Sequence, residues 1–107
     1  MESQFARQKI IRDIKNDDLK IQITGYVSEL KNNKNIVLDD DTGQLTVDLK
    51  ELDFNFKEKD LINIIGELRI TTSGEKILDA HIIQDMNKLN FKYYKKLYEL
   101  KKEILEE

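Results

Sequence analysis

The chain has 107 residues, enough for one domain with one modest core, and its 39% hydrophobic share is concentrated in Ile and Leu. Eighteen Lys and Arg against 21 Asp and Glu leave a formal charge of −3, so no global field attracts phosphate and any nucleic-acid contact must come from a local patch or a partner. With no Cys, disulfides and thiolate metal sites are excluded; the opening MESQFARQKII lacks the apolar stretch of a signal peptide, and no apolar run is long enough to span a membrane. The expectation is a soluble intracellular protein, cytoplasmic in a prokaryote and nuclear in a eukaryote.

Residues 1–18 read as an N-terminal extension in which Phe5 to Ile14 suits either a helix or an additional strand. From Leu19 the pattern is that of strands. Leu19, Ile21 and Ile23 alternate with Lys20 and Gln22, and Gly25-Tyr26-Val27 carries the first strand on towards Leu30. The polar run Lys31-Asn32-Asn33-Lys34-Asn35 is a turn, and Ile36-Val37-Leu38 a short second strand. Asp40-Asp41-Thr42-Gly43 predicts a hairpin with Gly43 in the left-handed position. Leu45, Val47 and Leu49 alternate with Thr46, Asp48 and Lys50 in a third strand. The connection from Glu51 to Lys59 offers Phe54 and Phe56 as plugs for a barrel end. Leu61 to Ile70 and Lys76 to Gln84 are strands four and five, joined by the hairpin Thr71-Thr72-Ser73-Gly74-Glu75. Five strands of this spacing with no long helix between them predict a mainly β chain, a small five-stranded antiparallel barrel over residues 19–86. Gly25 and Gly66 share the setting apolar-x-Gly-x-apolar inside a strand, where glycine marks a bulge or a close backbone approach.

After Asp85 the period turns helical, giving an amphipathic C-terminal α-helix over residues 87–107 that Asn87 or Asn90 can cap. At about 100° per residue, Leu89, Tyr93, Leu97, Leu100 and Ile104 fall on one narrow stripe. Phe91, Tyr94, Tyr98 and Leu105 form a second stripe beside it, with Lys101 between. The combined apolar arc is about 200° wide, more than a helix lying on one surface needs. All nine residues are candidates for a partner interface, which makes this an oligomerisation helix. A helix packed on its own barrel and self-association through the same face are the competing readings.

No catalytic constellation is present, and the chain reads as a binding protein, not an enzyme. Asp39-Asp40-Asp41 lacks the spaced acceptors and closing Glu of a calcium loop, His81 has no ligating companion, and the four glycines are isolated. No metal and no cofactor is expected.

The run ITGYVSELKNNKNIVLDDDTGQLTVDL, followed by DLINIIGELRITTSGEKILDAHIIQDMNKLNF and a closing helix, resembles the middle subunit of replication protein A in a minimal, archaeal-like form. The handover Ile82-Ile83-Gln84-Asp85-Met86-Asn87 is the most specific part of the likeness. The resemblance implies an OB-fold barrel, a C-terminal helix that joins a bundle with other OB-fold subunits in a heterotrimer, and single-stranded DNA as ligand in replication and repair. The anticodon-binding barrels of the aspartyl, asparaginyl and lysyl tRNA synthetases are similar too, which leaves a tRNA-binding module as a second reading and a purely structural adaptor as a third.

OB barrels bind single strands across their second and third strands, between the first hairpin loop and the last. Here those places hold Lys31, Asn32, Lys34 and Asn35 in one loop, Arg69, Thr71 and Lys76 around the other, and Lys50 at the end of strand three. The related subunits place stacking aromatics where this chain has Lys50 and Thr71. Stacking contributes about 1–3 kcal/mol per base, so the expected DNA contact is weak.

Overall fold

The alternation along the strands settles which side of each one faces inward. Ile21, Ile23 and Val27, then Ile36 and Leu38, then Leu45, Val47 and Leu49, then Ile62 and Ile64, then Leu78 and Ala80 are buried together with Ile14 in one core. Such a ring of inward branched side chains removes its apolar surface from water only if the sheet curls until its edges meet. The computed structural model, which describes residues 6–32 and 34–105 but not the side chain of Leu105, has that form.

Six strands are present among the described residues: β1 (Arg7–Gln8), β2 (Lys20–Leu30), β3 (Asn35–Asp39), β4 (Gln44–Asp48), β5 (Leu61–Ile70) and β6 (Lys76–Asp85), followed by helix α1 (Phe91–Leu105). β2 runs antiparallel to β3 and to β5, β3 to β4, and β5 to β6. β4 and β6 close the barrel through a short parallel seam, Thr46 opposite Ile77 and Asp48 opposite Asp79. The five-stranded barrel thus follows the expected order, with antiparallel pairing everywhere except at that seam. Phe54 and Phe56 pack against the core from the β4–β5 connection, their centroids 5.3 Å apart. No described helix is long and apolar enough to cross a membrane.

Gly66 sits where the β5–β6 register shifts, and a Cβ there would overlap the carbonyl of Asp79. The β3–β4 hairpin corrects the sequence reading. The left-handed residue is Asp41, at φ 72°, and not Gly43. Gly43 is small for another reason: a Cβ would stand 3.0 Å from Ile11 Cγ2. Asp41 tolerates its conformation because its N–H donates to Asp39 Oδ1 at 2.8 Å, a local bond of the kind Asp-rich turns make.

Residues 6–18 pack on the barrel. Arg7–Gln8 adds a short parallel strand to β2, Ile11–Asp13 is one 3-10 turn, and Ile10 and Ile14 are buried. Asp40, only 1% exposed, holds this segment down by accepting from Ile11 N at 2.8 Å while it also accepts from the Thr42 hydroxyl at 2.6 Å. The Asp triplet therefore builds structure at the hairpin. Phe5 lies outside the described residues.

Candidate nucleic-acid and partner interfaces

The outer face of β4 and β6 positions the polar residues of the barrel. Odd residues of β4 point into the core, so Thr46 and Asp48 point out, and the parallel seam sets Asp48 beside Asp79. Arg69 on β5 reaches across to both: its guanidinium lies 3.0 Å from Asp79 and 3.3 Å from Asp48. Lys50, in a left-handed conformation just after β4, brings its ammonium to 3.5 Å from Asp79 and 3.7 Å from Asp48. The hydrogen bonds and charge of Arg69 hold the Asp79 carboxyl below the usual carboxylate range against the upward push of burial, and Asp79 in turn raises Arg69. Two cations and two carboxylates cancel. The face expected to be basic is electrically neutral at its centre, and Asp79 is the residue that sequence reading did not bring to it.

The flanking loops stand at opposite ends of β4. The β2–β3 loop meets its C-terminal end, where Leu49 N donates to Lys34 O at 2.7 Å. The β5–β6 hairpin lies towards its N-terminal end, about 13 Å away for a five-residue strand. Asn32 orders the first loop by accepting from Lys34 N and Asn35 N at 2.7 and 2.9 Å, so it is a turn residue. Asn33 lies outside the described residues. Thr71 likewise closes its own hairpin, accepting from Glu75 N at 3.0 Å and bonding Ser73. Lys31 and Lys34 are exposed, Lys76 is half-buried, and none of the three makes an ion pair with another described residue. The available positive charge is thus in Lys31, Lys34 and Lys76, while Lys50 and Arg69 are committed to carboxylates.

The helix starts later than expected. Asn90 is the cap, its Oδ1 accepting from Tyr93 N at 3.1 Å, whereas Asn87 accepts from Leu61 N at 2.8 Å and ties the handover to β5. Leu89 therefore leaves the stripe and sits half-buried in the turn before α1. The two helical stripes have different fates. Phe91, 6% exposed, packs edge-on against Tyr26 with centroids 5.3 Å apart. Tyr94 meets the Thr24 hydroxyl at 3.2 Å, and Thr24 bonds buried Asn63 at 2.9 Å. Lys95 reaches Asp40 O and Asp41, both at 3.2 Å, while lying over the Phe91 ring. Tyr98 and Lys102 converge on Asp13 at 3.0 and 2.7 Å, and Arg12 pairs with Glu99 at 2.6 Å. Burial alone would push the Asp13 carboxyl up, but the hydrogen bonds of Lys102 and Tyr98 and the charges of Lys102 and Arg12 hold it below the ordinary range.

Phe91, Tyr94 and Tyr98 consequently face the chain's own barrel, a correction to their assignment as partner residues. The reason is that the outer wall of β2 and the 3-10 turn carries polar groups that the hydroxyls of Tyr94 and Tyr98 meet, while Phe91 packs on the ring of Tyr26. The other stripe remains in solvent: Tyr93 is 60%, Leu97 40%, Leu100 52% and Ile104 65% exposed. Leu105 closes the helix, and its side chain lies outside the described residues.

No protein-family model matches the sequence, and no curated protein matches it. Solved structures do. The telomere capping protein Ten1 from Saccharomyces pombe superposes at a TM-score of 0.75 with 22% identity, over 92% of this chain and 99% of that one. The second OB-fold domain of replication protein A from Methanococcus maripaludis gives 0.61 and 21%, over 78% and 98%. A chain of a replication protein A heterotrimer bound to single-stranded DNA gives 0.56 and 13%, over 70% of this chain and 62% of that one. With the strand order and the parallel seam, these likenesses identify the barrel as an OB fold.

Proposed function

We propose that this chain is a non-catalytic OB-fold subunit of a replication-protein-A-like assembly on single-stranded DNA, joined to its partner by the outer stripe of α1. The observation that carries the reading is that stripe. Four large apolar residues in a row stay in water on a helix whose opposite side is already docked. Isolated exposed apolar residues are ordinary, but a contiguous row along one helix marks an interaction surface. The structural neighbours include a subunit of a heterotrimer bound to single-stranded DNA, which supports the class of assembly.

The DNA contact of the chain itself is weak and electrostatic. Lys31, Lys34 and Lys76 flank a face whose centre is neutral, and the described rings lie at the barrel end, along the helix and, for Tyr26, on β2 against Phe91. The same neutrality favours the adaptor reading as an alternative. Binding of oligo-dT separates the two. The subunit reading expects weak binding at low salt that fades steeply as salt rises, because few phosphates are neutralised. Lys31→Glu with Lys34→Glu should weaken it at least tenfold, while Arg69→Gln, which removes an already neutralised charge, should change it little. No binding of oligo-dT at any salt would leave the adaptor.

A further inference from the structure

From the heptad spacing and the charges that rim the outer stripe, we infer that the occupant of this stripe is a second copy of the chain, its helix antiparallel to the first. This rests on the reading of the stripe as an interface and names its partner. Tyr93, Leu97, Leu100 and Ile104 follow at spacings of four, three and four, the d-a-d-a order of a coiled-coil seam. In that register Lys96 and Glu103 occupy the g positions, and Lys101 one e position. These flanking charges set the orientation of a helix pair.

A parallel pair of copies sets g against e, so Lys96 would meet Lys101 of the second copy twice. An antiparallel pair sets g against g. Leu97 then packs on Leu100 of the second copy, Tyr93 on Ile104, and Lys96 meets Glu103 of the second copy on both sides. One two-fold axis satisfies the apolar layers and the ion pairs together, as a closed symmetric dimer requires.

The charges inside one chain point the same way. The first turn of α1 carries no acidic residue, and Lys92, Lys95 and Lys96 crowd its N-terminal half, the positive end of the helix dipole. Glu103 lies at the negative end. Each sign is on its unfavourable end, and Lys96 and Glu103 form no ion pair with another described residue. A second helix running the opposite way presents the compensating charge to each. Three neighbouring charges are already engaged within the chain, Lys95 with Asp41, Glu99 with Arg12 and Lys102 with Asp13. A seam of four layers is short, so the dimer is concentration-dependent rather than permanent. Two weak barrels on one dimer can grip a single strand together, which raises the apparent affinity without new contacts.

Sedimentation equilibrium of the complete chain tests this. Wild type should approach twice its 12.7 kDa mass as concentration rises. Lys96→Glu should raise the dissociation constant about tenfold, since two attractions become repulsions. Adding Glu103→Lys should restore it to within about twofold, and Lys92→Glu, outside the seam, should leave it unchanged. The chain has no cysteine of its own, so orientation is open to cross-linking. Leu97→Cys mixed with Leu100→Cys should form a disulfide, and Leu100→Cys alone should not. Self-linking of Leu100→Cys, or a charge swap that fails to rescue, overturns the antiparallel register. A wild type that stays monomeric overturns the second copy as occupant. If that monomer still joins another OB subunit and Leu97→Glu does not, the interface reading survives without it.

Discussion

The barrel-facing side of α1 holds one buried ring and a set of polar-tipped side chains, whereas its solvent side holds three aliphatic residues and a tyrosine in water. A ranking by hydrophobicity alone would dock the wrong side. What decides the matter is the surface beneath. The outer wall of the barrel presents Thr24, Asp40 and Asp13, which need hydrogen-bonding partners once covered. Tyr94, Lys95, Tyr98 and Lys102 supply them along apolar stems, and Leu or Ile at those places would leave buried acceptors unpaired. The stripe that looks like core is therefore left for another molecule.

The largest effect that would break this contrast comes from Leu97→Glu. Within one chain Leu97 is 40% exposed, so a carboxylate there keeps its water and stability should change by no more than about 0.5 kcal/mol. In the assembled state the same carboxylate would be desolvated without a partner, and assembly should be lost at all accessible concentrations. Light scattering after size exclusion, set beside a thermal melt, reads both quantities. Loss of stability with assembly retained would reverse the roles of the two faces.

Phe91→Ala tests the opposite side with a smaller effect. The ring is buried between Tyr26 and Tyr94, with the Lys95 ammonium 4.9 Å above it. Its removal should cost about 2–4 kcal/mol, by lost burial and the cavity left behind. Chemical denaturation measures it. The helix should also lose its anchor to the barrel, seen as faster amide exchange over residues 91–98 while β2 and β5 stay protected.

The five barrel strands were legible because β2 and β4 alternate and the other apolar runs are bounded by polar turns, and their predicted limits fall within about two residues of the observed ones. The pairing across the barrel was not legible, and with it went the charge of the candidate site. Asp79 is thirty-one residues from Asp48 in sequence and beside it in space. Without that neighbour, Arg69 and Lys50 look like free cations. The helix was legible as two stripes, but their assignment depended on polar atoms contributed by β2, the β3–β4 hairpin and the 3-10 turn. Nothing in a 3.6-residue period reveals those acceptors. Gly66 was readable as a close approach, since its strand setting admits few other reasons; Gly43 was not, because the side chain that crowds it belongs to the N-terminal segment.

The finest distinction between the two faces is electrostatic and centres on Asp13. This carboxylate receives Tyr98 and Lys102 from the inner side of α1, whereas the side chains of Leu97, Leu100 and Ile104 on the outer stripe carry no titratable group. Because its folded pKa is held below the ordinary value, the stability it contributes is complete above the unfolded pKa of about 3.9 and is lost as pH falls through the folded one. Asp13→Asn keeps the shape and one acceptor oxygen but removes the charge. It should cost about 1 kcal/mol at neutral pH, a modest figure because Arg12 and Lys102 remain in reach of solvent. That corresponds to a melting temperature about 5 °C lower for a chain of this size. The gap between wild type and variant should hold from pH 7 to about 5 and close below about 4, where wild-type Asp13 takes up its proton. A gap that widens on acidification would mean that Asp13 is a burden rather than a clasp, and the inner face would then depend on Phe91 alone.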